Sequence, residues 1–479
     1  MLMYCLVVGW PYPHRGGGGK RTFEVLKHIS EFEITPILYV PYSDLISTAL
    51  FEEIWKLESF VQVLKRLERF NVIVPSDLYE DFERIKPNVQ HYLDCLQKKS
   101  VYATLSNLKK HIQSIRGFKD NIFFTKKFLA STVQSDRIIP DKLNFIYSMD
   151  EIASCVIAGA FLARSLERKL YIQLQAEPFK RLKDLMIDDW RLRVTLAKQR
   201  AFREILRFLP LILNFTFSNP RYSYSYAFKN NLNGLLAVSE APLVISGLDL
   251  WASRRRIKVK VVRPGNAVDE EISRKYVDEE ERRRLLRMKR DVAIYYSRLY
   301  SPKGLFDIPP IAKKLAMNGY RIIVIGRFER MNEKRSFFRI CEEKKIKNIE
   351  YLGWLPREKL IEVISRSKVL IYPSHSDAFS LVVLEALFLG CSVVAYDIPA
   401  IRSVYKGLKP VKIVKEYDYK AMAEEAIKIL KRDISKHEEE HLDDNFMNFL
   451  KIHSSWRNVA KADIEAIREM MNYPSRTCC

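Results

Sequence analysis

The chain has 479 residues, 48% of them hydrophobic, and a formal net charge of +22 from 80 Lys and Arg against 58 Asp and Glu. That length exceeds one ordinary core and implies two domains of about 200 residues each, while the apolar content excludes long disorder. The charge speaks of partners rather than of fold: it attracts anions, whether nucleic acid, an acidic membrane or a phosphorylated small molecule.

"YCLVVGW" (4–10) is a short continuous apolar run, the mark of a strand buried on both faces. With no basic region or cleavage site before it, it reads as a first strand and not as a signal peptide. "PYPHRGGGGKRTFEVLKHISEF" (11–32) follows as a glycine-rich loop and a helix, then "EITPILYV" (33–40) as a second strand. From about 44 to 143 helical periodicity and dense charge predict a helical elaboration inside the first domain. Alternation resumes with strands at 142–148 and 169–175 around a helix at 150–166, a basic helical stretch at 183–217, and strands at 234–240 and 257–265. The apolar run Leu206–Phe217 contains Pro210 and Asn214. It is far shorter than the ~20 residues of a membrane span.

The second half repeats the rhythm, with strands at 291–297, 321–327, 348–353, 369–374 and 392–397 and helices at 303–317, 332–345, 357–366 and 380–389. Strand alternating with helix predicts an α/β chain of two Rossmann-like, doubly wound parallel sheets. Seven scattered cysteines without a CxxC pair predict reduced thiols in a cytosolic protein. Cys5, Cys155 and Cys391 sit in apolar runs and read as small buried hydrophobes.

Ligands of open parallel sheets bind beyond the carboxyl ends of the strands, so chemistry is sought there. "YYSRLYSPKGL" (295–305) puts Arg298 and Lys303 after a strand and before a helix, a suitable seat for a diphosphate. "HRGGGGKR" (14–21) is neither a Walker loop nor GxGxxG, but its bare glycines allow backbone to approach a ligand closely. "DAFSLVVLE" places Asp377 at the mouth of the crevice, at a helix N-terminus, and Glu385 on about the second turn of that helix. Carboxylates there accept hydrogen bonds from sugar hydroxyls; the plain structural alternative is a capping Asp and a buried, paired Glu. No Asp-x-Asp element or His/Cys cluster with ligand spacing occurs, so neither a metal nor another cofactor is expected.

Five segments in order complete the pattern: "VVRPGNAVD" (261–269), "SRLYSPKG" (297–304), "IEYLGWLPREKL" (349–360), "YPSHSDAFSLVVLEALFLGCSVVAYDIPAI" (372–401) and "SSWRNVAKADIEAIREM" (454–470). Together they resemble the retaining glycosyltransferases of family 4, which have the two-domain B-type fold. The resemblance is clearest from about 257 to 470. It implies a first, acceptor-side domain over 1–268, a nucleotide-sugar-binding domain over 269–452 and a closing helix over 453–479 that crosses back. It implies that Arg298 and Lys303 hold the donor diphosphate, that Glu385 binds the ribose and that Asp377 contacts the transferred sugar. It places the backbone of Ser380 and Leu381 at the phosphates, and Gly17 and Gly18 across the cleft. The chain departs from the pattern in having Asp377 for the usual Glu, Ser380 for the usual Gly, and no histidine in "YSMDE" or "QLQAEPF". Asp150 and Glu177 are the first-domain candidates in its place.

The reaction implied is metal-independent transfer of a sugar, with retention, from a nucleotide-sugar to an acceptor hydroxyl. A nucleotide-sugar epimerase on two Rossmann halves is a rival. A second is a non-catalytic binder of nucleic acid or membrane, supported by "RRR" at 254–256 and 282–284 and by "RYSYSYAFK" (221–229). The basic stretch 179–215, with apolar residues between its cations, suggests a cytoplasmic enzyme peripheral to the inner membrane face, acting on a lipid-linked or otherwise anionic acceptor.

Overall fold

The apolar runs assemble into two six-stranded, wholly parallel sheets, seen in a computed structural model that describes residues 3–55, 58–97, 122–130, 142–179, 220–276 and 278–472. The first sheet holds β1 (Met3–Val8), β2 (Ile34–Tyr39), β3 (Leu143–Ser148), β4 (Lys169–Leu174), β5 (Leu232–Ala237) and β6 (Lys258–Val261) in the order β2-β1-β3-β4-β5-β6. The second holds β7 (Arg290–Tyr296), β8 (Ile322–Ile325), β9 (Ile349–Gly353), β10 (Ser367–Tyr372), β11 (Ser392–Tyr396) and β12 (Val411–Val414) in the order β12-β11-β10-β7-β8-β9. β12 is absent from the sequence reading, because four residues with a half-exposed middle give too little apolar signal.

Each sheet reverses its winding once, between β1 and β3 in the first and between β7 and β10 in the second. At these switch points neighbouring loops diverge to opposite faces and leave a crevice. The predicted site residues fall on those loops: the glycines follow β1, Asp150 follows β3, Arg298 and Lys303 follow β7, and Asp377 follows β10.

Two local expectations need correction. The four glycines are not a loop: Gly16 is the N-cap, at φ +150°, and Gly17–Gly19 form the first turn of α1 (Gly17–Ile29). Residues 303–317 are not one helix either. Short 3-10 turns at Ser301–Lys303 and Leu305–Asp307 come before an α-helix at Ile308–Ala316. Gly304, at φ +75°, breaks the run, and a Cβ there would lie 2.0 Å from the Pro373 carbonyl oxygen. Only glycine lets the Lys303 turn press this closely on the β10 loop.

Helices at Tyr42–Trp55, Phe60–Glu68 and Ser76–Gln97 lie between β2 and β3. The basic stretch 179–215 lies, apart from Phe179, outside the described residues. Among the described residues no helix is long and apolar enough to cross a membrane.

The last helix, Trp456–Asn472, returns from the second domain to the first. Its Val459, Ile464, Ile467 and Met470 join Val7, Phe145 and Leu236 in one buried cluster. Asp463 on this helix pairs with Arg21 of α1, whose Nη2 meets both carboxylate oxygens, at 2.7 and 2.9 Å, with both residues buried. Arg21 also donates to the Gly265 carbonyl at 2.9 Å, and Tyr147 donates to Asp463 at 2.8 Å. Removing one charge of such a pair strands the other without water. Asp463→Asn is therefore expected to cost about 3–5 kcal/mol. Urea unfolding monitored by circular dichroism checks it; a loss below about 1 kcal/mol would show that the pair does not hold the returning helix.

Candidate active site

The second-domain side is built on helix α2 (Leu381–Phe388), which is fixed at both ends. Ser380 is its N-cap and its hydroxyl accepts from Val383 N–H at 3.3 Å. Asp377 is thus not the cap: it lies three residues earlier and accepts from Ala378 N–H at 2.9 Å. Tyr405 donates to the Ser380 carbonyl at 2.7 Å and Tyr296 to the Val382 carbonyl at 2.6 Å. At the other end the buried guanidinium of Arg282 donates to the carbonyls of Leu387 and Phe388, at 3.1 and 3.2 Å. A cation at a helix C-terminus complements its dipole. Burial lowers the pKa of Arg282 to about 9.

The structure brings Lys303 and Asp377 together. Lys303 Nζ donates to Asp377 Oδ2 and to the Ser376 carbonyl, each at 2.9 Å, and Tyr372 donates to the same Oδ2. Burial alone pushes the Asp377 carboxyl up and the Lys303 ammonium down. The pairing wins in both, through Lys303 for Asp377 and through Tyr372 and Asp377 for Lys303, so both stay charged. Arg298 is not part of this cluster: it is exposed, meets Glu329 at 3.4 Å and lies over the Tyr300 ring at 5.2 Å.

Glu385 is 9% exposed and accepts from Arg357 at 2.8 Å. Arg357 also reaches Asp269 at 3.0 Å, and Asp269 accepts from Lys20 of α1 at 2.8 Å. Lys20, Asp269, Arg357 and Glu385 therefore form a chain of alternating charge from one domain to the other. The sequence reading missed Lys20, Asp269 and Arg357, although "VVRPGNAVD" and "LPREKL" contain two of them. Nothing in a local pattern reveals a contact spanning 88 residues.

The first-domain side faces this cluster closely. A Cβ on Gly17 would sit 3.4 Å from Leu381 Cδ1, so one methyl group bridges the domains there. A Cβ on Gly18 would meet Gln175 Oε1 at 3.6 Å and Asp150 Oδ1 at 3.8 Å. Glu177 accepts from Ser376, beside Asp377, across the cleft. Asp150 is buried and accepts from Trp10 N–H at 2.7 Å and from Gln175 Nε2 at 3.3 Å. Burial, and then the neighbouring Glu151, raise its pKa to about 8. Asp150 is therefore an uncharged acid at neutral pH, able to donate a hydrogen bond.

Of the basic runs behind the nucleic-acid reading, 254–256 keeps Arg254 and Arg256 exposed, while 282–284 is engaged within the fold. Arg282 is buried, while Arg283 and Arg284 pair with Glu279, Glu280 and Glu281 on their own helix. In "RYSYSYAFK" Tyr224 is buried against Trp251 and Phe179, and Arg255 lies over Trp251 at 4.7 Å. Among the described residues no group of His, Cys, Asp and Glu is placed to hold a metal ion.

Comparison with known proteins agrees with this geometry. Residues 277–445 match the family model of the glycosyl transferases group 1. The structure of Anabaena Alr3699/HepE in complex with UDP and glucose is similar over 98% of this chain and 100% of its own, at 14% identity and a TM-score of 0.56. A glycosyltransferase from Rickettsia africae is similar over 99% and 100%, at 13% identity and 0.59. Sucrose-phosphate synthase from Thermosynechococcus elongatus is similar over 99% and 100%, at 11% identity and 0.57. No curated protein sequence matches the chain. The fold is the two-domain glycosyltransferase B-type.

The uncharged state of Asp150 has a measurable consequence. Its folded pKa of about 8 lies above the ordinary 3.8, so the folded protein holds a proton that the unfolded chain has lost. Stability must then fall as pH rises from about 4 to 8 and level off above, at up to about 1.4 kcal/mol per pH unit from this group. Asp150→Asn, which mimics the protonated acid, is expected to lose less stability than wild type between about pH 5 and 8 in parallel urea titrations. Equal slopes would show that Asp150 is ionised.

Proposed function

We propose that this glycosyltransferase moves a sugar from a nucleotide-sugar, foremost a uridine diphosphate sugar, to an acceptor hydroxyl with retention of configuration. The reading rests above all on the Lys303–Asp377 pair at the β7/β10 switch point, beside the helix whose Leu381 faces Gly17 of the opposite domain. UDP bound to the similar Anabaena structure supports a uridine donor. The order of the five sequence segments supports membership of glycosyltransferase family 4.

Lys303 and the N-terminus of α2 at Ser380 and Leu381 take the diphosphate, and exposed Arg298 swings in from Glu329 to share its charge. Fixed positive groups aimed at the departing phosphate are the electrostatic lever, so no metal is needed. Glu385, held by Arg357, takes the ribose hydroxyls. Asp377 takes the transferred sugar, while Gly17 and Gly18 leave room for it. Asp150 donates a hydrogen bond to that sugar. A carboxyl kept protonated is a poor nucleophile, which favours single-step attack from the face the diphosphate leaves over a covalent intermediate on Asp150.

The acceptor docks on the first domain, and the net charge of +22 favours an anionic or lipid-linked one. Such an acceptor would place the enzyme on the cytoplasmic face of a membrane, with 179–215 as the contact. Flotation with anionic and neutral vesicles at low and high salt tests it: no preference for anionic vesicles at low salt removes the membrane contact.

Hydrolysis and transfer assays over a panel of nucleotide-sugars test the reaction, and incubation with donor alone separates transfer from epimerisation. Lys303→Ala and Glu385→Ala are each expected to lower turnover on the order of 10²–10³-fold in a folded protein. Near-normal turnover of Lys303→Ala would refute the diphosphate seat. Asp377→Glu is expected to change donor preference more than stability; an unchanged donor profile would remove Asp377 from the sugar.

A further inference from the structure

His375, two residues before Asp377, joins three segments that surround the donor seat. Its backbone N–H donates to the Pro302 carbonyl at 2.9 Å, on the turn that carries Lys303. Its ring Nε2 lies 3.0 Å from Asp307 Oδ2, at the end of the same turn, and its Nδ1 lies 2.9 Å from Glu416 Oε1, just past β12. The ring stacks on Tyr417 at 4.3 Å between centroids and tilts over Tyr396 at 5.3 Å. Carboxylates accept and do not donate, so a ring nitrogen facing each one requires both to carry protons. The histidine is an imidazolium between two anions.

We propose that the His375 imidazolium is a positioning residue for donor binding, clamping the 301–307 turn to the 373–377 loop so that Lys303 and Asp377 stay in register for the diphosphate. The proposal rests on the donor-site reading above. The geometry carries it: one side chain and its own amide reach both ends of the Lys303 turn, and Gly304 is pressed against Pro373 between them. Loosening this clamp releases both charged groups of the seat together, without touching the ligand.

The groups facing the ring are Asp307 from the turn, Glu416 and Tyr417 from the β12 loop, and Tyr396 from β11. Burial pulls the ring's pKa down, but hydrogen bonding to Asp307 and then Glu416 outweighs it and raises the value to about 9. A raised pKa means the clamp is at full strength below the ordinary 6.5 and is lost as pH rises through about 9.

Calorimetric titration of the full chain with UDP, from about pH 7 to pH 10, tests the proposal. Wild type is expected to lose about tenfold in affinity across the upper part of that range. His375→Gln is expected to bind about tenfold more weakly at the lower end and to lack the step. Asp307→Asn, which removes one of the two carboxylates, is expected to move the step to lower pH, a displacement that simple loosening of the fold does not produce. Should His375→Gln not fold, the displacement in Asp307→Asn decides alone. Equal affinities and equal pH profiles in wild type and variants would overturn the clamp and leave the donor reading standing. A wild type that binds neither UDP nor any other nucleoside diphosphate would overturn the donor reading and the clamp with it.

Discussion

A buried guanidinium holds the first domain's half of the cleft in place. Arg21 sits on the helix whose first turn is Gly17–Gly19, and its partners are Asp463 on the returning C-terminal helix and the Gly265 carbonyl at the junction between domains. Taking a guanidinium and a carboxylate out of water is costly, and the cost is offset only where geometry and further hydrogen bonds are good. Here one guanidinium nitrogen meets both carboxylate oxygens, and Tyr147 donates to the same carboxylate. Burial pulls Arg21 towards neutrality, yet Asp463 draws its pKa up on balance. The glycine turn is thus oriented by a contact one turn further along its own helix.

The second domain solves the same problem with Arg282. It donates to the carbonyls of Leu387, Phe388 and His441 and meets the His441 ring, which burial keeps uncharged. Burial lowers its pKa, where Asp463 raises that of Arg21 on balance. Arg282 therefore holds α2 from behind, through the helix carbonyls, and leaves the N-terminal turn open for a ligand. In both domains a buried cation behind a helix fixes the end that faces the cleft.

Between these anchors the cleft wall carries charges in alternating sign, from Lys20 through Asp269 and Arg357 to Glu385. Each charge has an opposite neighbour, so none bears the full desolvation penalty. A ligand that takes Glu385 competes with Arg357, and Arg357 shares Asp269 with Lys20. Occupation of the second domain is thereby linked to the glycine helix of the first through three short contacts. The overall surplus of +22 acts at longer range, drawing anions to the molecule without choosing among them.

The sequence by itself determined the alternation of strand and helix, the two parallel sheets, and the loops on which Lys303, Asp377 and Asp150 lie. Those features are local: a run such as "YCLVVGW" or "VLIYPS" states its burial within a few residues, and the loop after it sits at a strand's carboxyl end wherever the strand lands. The helical start of the glycine run escaped that reading because its N-cap makes no side-chain bond that could announce it. Only the tertiary structure decided which charges meet. Lys303 finds Asp377 across 74 residues and Arg21 finds Asp463 across 442, and Arg298 turns to Glu329 instead of joining them. The uncharged state of Asp150 and the charged state of His375 were equally illegible, because each depends on burial and on neighbours from distant segments. Pairing and protonation follow from where strands and loops come to rest in three dimensions, and no periodicity along the chain encodes that.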